Sequence, residues 1–214
     1  MKVRVLLADD HQIFCEGLVS LLYKESDIEV IGKAENGRIA IELAGNLKPD
    51  VLVMDISMPE LNGIEATSQI LEKNPKTKII ALSIHSDRQF IYRMFKAGAA
   101  GYLLKDCAFE ELAQAIRIVM KNQTYLSPKI AKFVVDNYIC SSNQEISDFS
   151  SLTNREREIL QLLAEGKTTK QISASLHIST KTVETHRLHI MDKLQIYSIA
   201  ELTKYAIREK ISAL

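Results

Sequence analysis

The chain has 214 residues, 46% hydrophobic and 25% charged, with 27 basic against 27 acidic side chains and no net charge. That length buries a core without staples, and a neutral total argues against a protein that coats nucleic acid or membrane by bulk electrostatics. No stretch approaches the ~18 apolar residues of a membrane span, and Lys2, Arg4, Asp9 and Asp10 charge the start, so a cytoplasmic location with no membrane contact is expected.

Over residues 1–121, short β-rich runs alternate with helical patterns. Strands are predicted at Val3–Ala8, Ile28–Ala34, Val51–Met54, Lys78–Leu82 and Ala100–Leu104, with the near-continuous Val/Ile/Leu content of strands buried on both faces. Helices are predicted at Ile13–Leu22, Arg38–Leu47, Ile64–Lys73, Asp87–Lys96 and Phe109–Lys121. Five such βα units predict an α/β domain, a doubly wound five-stranded parallel sheet with helices on both faces.

Residues 122–150 break the alternation. Pro128 opens a short helix over 128–138, and the polar run Cys140–Ser151 reads as a linker. The three cysteines, Cys15, Cys107 and Cys140, are too few and too scattered for a disulfide framework or a zinc motif.

Residues 151–214 predict a small all-α domain of four helices. Thr153 with Glu156 forms a capping box for a helix to Ala164, closed by Gly166; Thr169–Ser175 follows; Ser179 caps a helix to Leu194; Ser198 starts Ile199–Lys210. The charge divides along the same line: residues 1–150 hold 17 Lys+Arg against 20 Asp+Glu, and residues 151–214 hold 10 against 7.

Ligands of open parallel sheets bind beyond the carboxyl ends of the strands. There the sequence puts Asp9 and Asp10, Asp55, Ser83 and Lys105. Carboxylates that repel one another call for a hard divalent cation, and oxygen-only ligands suit Mg²⁺. The lysine and hydroxyl complete a socket for phosphoryl oxygens, in which a carboxylate can become an aspartyl phosphate. Singly, each residue has a plainer explanation, a helix cap or a surface charge; the joint placement favours the socket.

Asp9-Asp10-His11, Met54-Asp55-Ile56-Ser57-Met58-Pro59, Asn62-Gly63, Ser83 and Gly101-Tyr102-Leu103-Leu104-Lys105-Asp106 resemble the receiver domain of two-component response regulators. The resemblance implies a flavodoxin-like (βα)5 fold. It implies that Asp55 accepts phosphate from a sensor histidine kinase, with Mg²⁺ at Asp9, Asp10, Asp55 and the Ser57 carbonyl. Lys105 would pair with the phosphate, and Ser83 and Tyr102 would form the switch. Ser57 and His85 match positions that tune phosphoaspartate hydrolysis in the family. Glu60 and Leu61 depart from the usual loop, which has a glycine after Met58-Pro59.

In the C-terminal part, Lys167, Lys170, Lys181, Arg187 and Lys193 stand against Glu184 and Asp192. A solvated face explains such a surplus, but the turn Leu176–Ser179 fits a helix-turn-helix whose second helix enters the major groove. The run from Leu152-Thr153 through Lys181-Thr182-Val183-Glu184, His186-Arg187 and Lys193-Leu194 resembles the LuxR-type DNA-binding domain, and the whole chain resembles the NarL/FixJ subfamily. Glu184, Thr185 and Leu188 are expected at base edges, and Lys170, Lys181 and Arg187 at phosphates. His186 is a phosphate contact or a packing residue. Ile199, Leu202 and Ala206 on the last helix are the expected dimerisation stripe.

These features lead to a DNA-binding regulator controlled by phosphorylation at Asp55, active as a homodimer on double-stranded promoter DNA, with RNA polymerase a further candidate partner. Two alternatives remain: a regulator that ignores phosphate, and a Mg²⁺-dependent phosphohydrolase with Asp55 as nucleophile. The second usually needs an acid two residues on, where Ser57 stands.

Overall fold

A computed structural model of the chain describes residues 2–84, 86–106, 108–140, 152–209 and 211–212. His85, Cys107, Lys210 and the linker residues 141–151 lie outside the described residues, as does the Cys140 side chain. Two compact units emerge; among the described residues, one carries the strands and the regular elements of the other are helices.

The first unit runs β1 (Val3–Ala8), α1 (Gln12–Leu22), β2 (Ile28–Ala34), α2 (Gly37–Leu47), β3 (Val51–Asp55), α3 (Gly63–Lys73), β4 (Lys78–Ser83), α4 (Arg88–Lys96), β5 (Gly101–Leu104), α5 (Ala108–Met120), β6 (Tyr125–Leu126) and α6 (Pro128–Cys140). The sheet is parallel throughout, in the order β2-β1-β3-β4-β5-β6. The predicted doubly wound architecture is present, with a sixth strand added. Two residues make no readable period, so only the pairing of Gly101 with Tyr125 and Tyr102 with Leu126 reveals β6.

Alternation along the strands sends successive side chains to opposite faces, and both faces are covered. On one, Val5, Leu7, Val53, Ile80, Leu82 and Leu103 pack with Leu18 and Leu22 of α1 and Leu112, Ile116 and Val119 of α5. On the other, Leu6, Leu52, Met54 and Ile79 are equally buried. Each such side chain contributes ~1.5–3 kcal/mol of transfer free energy, which fixes the rim where the strands end.

The second unit comprises α7 (Asn154–Ala164), α8 (Thr169–Leu176), α9 (Thr180–Leu194) and α10 (Ile199–Arg208). Thr153 and Glu156 form the expected capping box, and Gly166 (φ +76°) takes up the left-handed turn after α7. A second box, Thr168 with Gln171, starts α8, and the Ser179 side chain accepts the Thr182 amide to start α9. Ser198 precedes α10 without a side-chain cap bond. Ile159, Leu160, Leu162, Ile172, Val183, Ile190, Leu202 and Ala206 form the core. No helix among the described residues is long and apolar enough to cross a membrane.

Candidate functional site

Four strand ends of the first unit converge on one pocket. Asp9 follows β1, Asp55 is the last residue of β3, Ser83 the last of β4, and Lys105 follows β5. Asp9, Asp55 and Ser83 are buried, whereas Asp10 and His11 are exposed. The Ile56 amide donates to the Leu82 carbonyl at 3.2 Å and the Lys105 amide to the Ser83 carbonyl at 2.8 Å, so backbone pairing continues to the pocket's edge.

Lys105 Nζ lies 2.8 Å from Asp55 Oδ2 and 2.7 Å from Asp9 Oδ2, and 5.1 Å from the Phe14 ring centroid. The Ser57 amide donates to Asp55 Oδ1 at 3.3 Å, and the His11 amide to Asp9 Oδ1 at 2.9 Å. Burial dominates the acidity of Asp55: desolvation pushes its carboxyl up to about 6, Lys105 opposing and Asp9 reinforcing the rise. Burial alone would lower Lys105, but Asp55 and Asp9 outweigh it and hold the ammonium above its ordinary value.

Asp9, Asp10, His11 and Asp55 bring ligand atoms within 4.8 Å of one another. The carboxylates supply the oxygens that a hard divalent cation requires. His11 is the member that sequence reasoning missed, although it directly follows the Asp9-Asp10 pair; its Nδ1 is 3.0 Å from Asp10 Oδ1. For Ser57 the contact observed is its amide on Asp55.

Tyr102, central on β5, is fully buried and hydrogen-bonded to the Ser83 side chain, so the two expected switch residues touch. Desolvation drives the Tyr102 phenol well above its usual acidity range. The loop after Asp55 returns through Asn62, whose Oδ1 accepts the Ile64 amide at 3.1 Å and the Glu65 amide at 3.0 Å, while the Gly63 amide donates to the Ile56 carbonyl at 2.9 Å.

In the helical unit, Lys170 on α8 and Lys181, Glu184, Thr185 and Leu188 on α9 are all exposed, Leu188 to 57%. Val183 and Ile190 face the core, so α9 presents one open face. His186 and Arg187 flank it half-buried. Of the expected α10 stripe, Leu202 and Ala206 are fully buried in their own domain's core, where α10 packs on α7, and Ile199 is 48% exposed.

Residues 5–117 match the family described as response regulator receiver domain, and residues 150–206 match bacterial regulatory proteins of the luxR family. The chain is 39% identical to the oxygen regulatory protein NreC of Staphylococcus aureus, over 98% of this chain and 99% of that one. It is similar in structure to a LuxR-family two-component response regulator from Aurantimonas sp. (32% identity, 65% of this chain and 99% of that one, TM-score 0.63). A structure of the Salmonella typhimurium response regulator RcsB, described for conformational dynamism in DNA interaction, is 25% identical over 95% of this chain and 97% of that one, with a TM-score of 0.61.

Proposed function

The chain belongs to the two-component response regulators that join a receiver domain to a LuxR-type DNA-binding domain, and from that premise we propose that phosphorylation of Asp55 by a sensor histidine kinase governs its binding to promoter DNA. The chain is a transcription regulator rather than an enzyme acting on an outside substrate. The observation that carries the Asp55 assignment is the buried carboxylate at the end of β3 with the Lys105 ammonium 2.8 Å away.

In the transfer, an Asp55 oxygen attacks phosphorus, the P–N bond to the kinase histidine breaks, and the imidazole leaves. Asp9, Asp10 and Asp55, with the Ser57 carbonyl, would hold Mg²⁺, which neutralises the carboxylates and the incoming phosphoryl oxygens. Lys105 holds a second positive charge where the phosphoryl group arrives. The modification adds about 1.5–2 negative charges. Ser83 then turns towards a phosphoryl oxygen, leaving Tyr102 to repack, and the two residues bias the surface of α4, β5 and α5.

Lys170, Lys181 and Arg187 are assigned to DNA phosphates, Glu184, Thr185 and Leu188 to base edges, and His186 to the flank of α9. The active form is a homodimer that draws on the exposed edge of α10 at Ile199, and two half-sites about ten base pairs apart fit such a dimer. The working division is a receiver over 1–121, a connector over 122–150 and the DNA-binding domain over 151–214, acting in the cytoplasm with RNA polymerase as a downstream contact.

Incubation with acetyl phosphate and Mg²⁺, followed by gel shift on the DNA upstream of the protein's own gene, tests this reading. Tighter binding after phosphorylation is expected. DNA binding that is unchanged by a full phosphate load refutes the control by Asp55 and favours a regulator that ignores phosphate.

A further inference from the structure

Outside the receiver pocket, a second group of metal-ligating side chains comes together: Glu156, His186 and His189 each offer a ligand atom, and these atoms lie within 4.8 Å of one another. Glu156 stands in the first turn of α7, thirty residues before His186 in the sequence, so no motif spacing announces the group. His186 and His189 are three apart on α9, which places them on one flank of the helix.

Glu156 is already oriented. Its Oε2 accepts the Thr153 amide at 2.7 Å, the Thr153 hydroxyl at 2.9 Å and Lys193 Nζ at 2.7 Å, and no hydrogen bond among the described residues falls on Oε1. His186 Nδ1 is buried without a hydrogen-bond partner, an unfavourable state for an imidazole nitrogen unless a cation or donor reaches it. The two imidazoles stand edge to face, centroids 6.5 Å apart at 87°, and make no hydrogen bond to each other.

We propose that Glu156, His186 and His189 form a zinc-class transition-metal site that joins the cap of α7 to the flank of the recognition helix. Two imidazoles and one carboxylate are the donor set of a borderline cation rather than of Mg²⁺, and three protein ligands leave a fourth position for water. Ligands around tetrahedral zinc lie about 3.3 Å apart at bond lengths of ~2.0–2.1 Å. The exposed His189 ring has the freedom to close the difference. Lys193 and Thr153 hold the carboxylate from its other oxygen, the kind of outer contact that orients a metal ligand.

Zinc alone is the probe, titrated into the full chain against a chromophoric chelator, with excess Mg²⁺ to fill the receiver pocket. One equivalent is expected to bind the unaltered protein. His189→Gln, at an exposed position whose fold is checked by circular dichroism, is expected to weaken binding by about tenfold or more, whereas Asp10→Asn leaves it unchanged. Cobalt substitution is expected to give the visible d–d bands of a tetrahedral site, lost in His189→Gln. The proposal is overturned if no zinc binds in the presence of Mg²⁺, if His189→Gln binds as tightly as the unaltered chain, or if Asp10→Asn removes the binding instead.

Discussion

Gly63 presses its bare α-carbon against the Asp55 carbonyl: a Cβ built on Gly63 would sit 2.0 Å from that oxygen and 2.9 Å from Met54 Cγ. The contact ties the start of α3 to the end of β3, and the Gly63 amide on the Ile56 carbonyl closes the loop between them. Gly63→Ala must therefore displace backbone rather than a flexible side chain. It is expected to lower stability by about 3 kcal/mol or more in urea denaturation and to slow phosphorylation of Asp55. A variant as stable and as readily phosphorylated as the parent contradicts this packing.

Ser83 and Tyr102 share one buried hydrogen bond. Tyr102→Phe and Ser83→Ala are each expected to cost about 1 kcal/mol, and the double variant less than the sum of the two, because either change removes the same bond. Full additivity in a denaturation cycle would show the two hydroxyls to be independent. Tyr102→Phe should still accept phosphate on Asp55 while gaining less DNA affinity from it.

Lys181 lies exposed on the open face of α9. Lys181→Ala is expected to weaken DNA binding about equally across sequences and to reduce the slope of log affinity against log salt by ~1. A slope equal to the parent's removes Lys181 from the phosphate contacts.

Arg117 on α5 donates Nε to Asp27 Oδ2 at 2.8 Å and Nη2 to Asp27 Oδ1 at 2.7 Å. These hydrogen bonds hold the Asp27 carboxyl down at about 2. The folded value lies below the ~3.9 of a free aspartate. The pair's contribution is thus complete above about pH 4 and is lost as pH falls through about 2. The half-exposed position of both partners keeps that contribution small. An NMR titration of Asp27 checks it: Arg117→Ala should return the midpoint to the ordinary aspartate range, and an unmoved midpoint refutes the cause.

The βα alternation was legible because central strands buried on both faces leave unbroken apolar runs, as at Val51–Met54, bounded by chemistry-bearing residues at the rim. Asp55, Ser83 and Lys105 could be read together because each stands where an apolar run stops. β6 was not legible, since two residues paired to β5 carry no period of their own. Part of the α10 stripe has to pack on its own domain, but which residues turn inward was equally hidden. An apolar stripe on a helix looks the same whether its own core or a second chain covers it, and only the packing of α10 on α7 decides. The place of His11 in the cluster escaped because it depends on where its ring lies against Asp10, not on its type alone.

The most direct test of phosphate acceptance at Asp55 is the intact mass of the full chain after incubation with acetyl phosphate and Mg²⁺, for the parent and Asp55→Asn side by side. One added phosphoryl group on the parent, absent from Asp55→Asn and from a chelator-treated control, is the expected result. A full phosphoryl adduct on Asp55→Asn contradicts the assignment and moves the acceptor elsewhere.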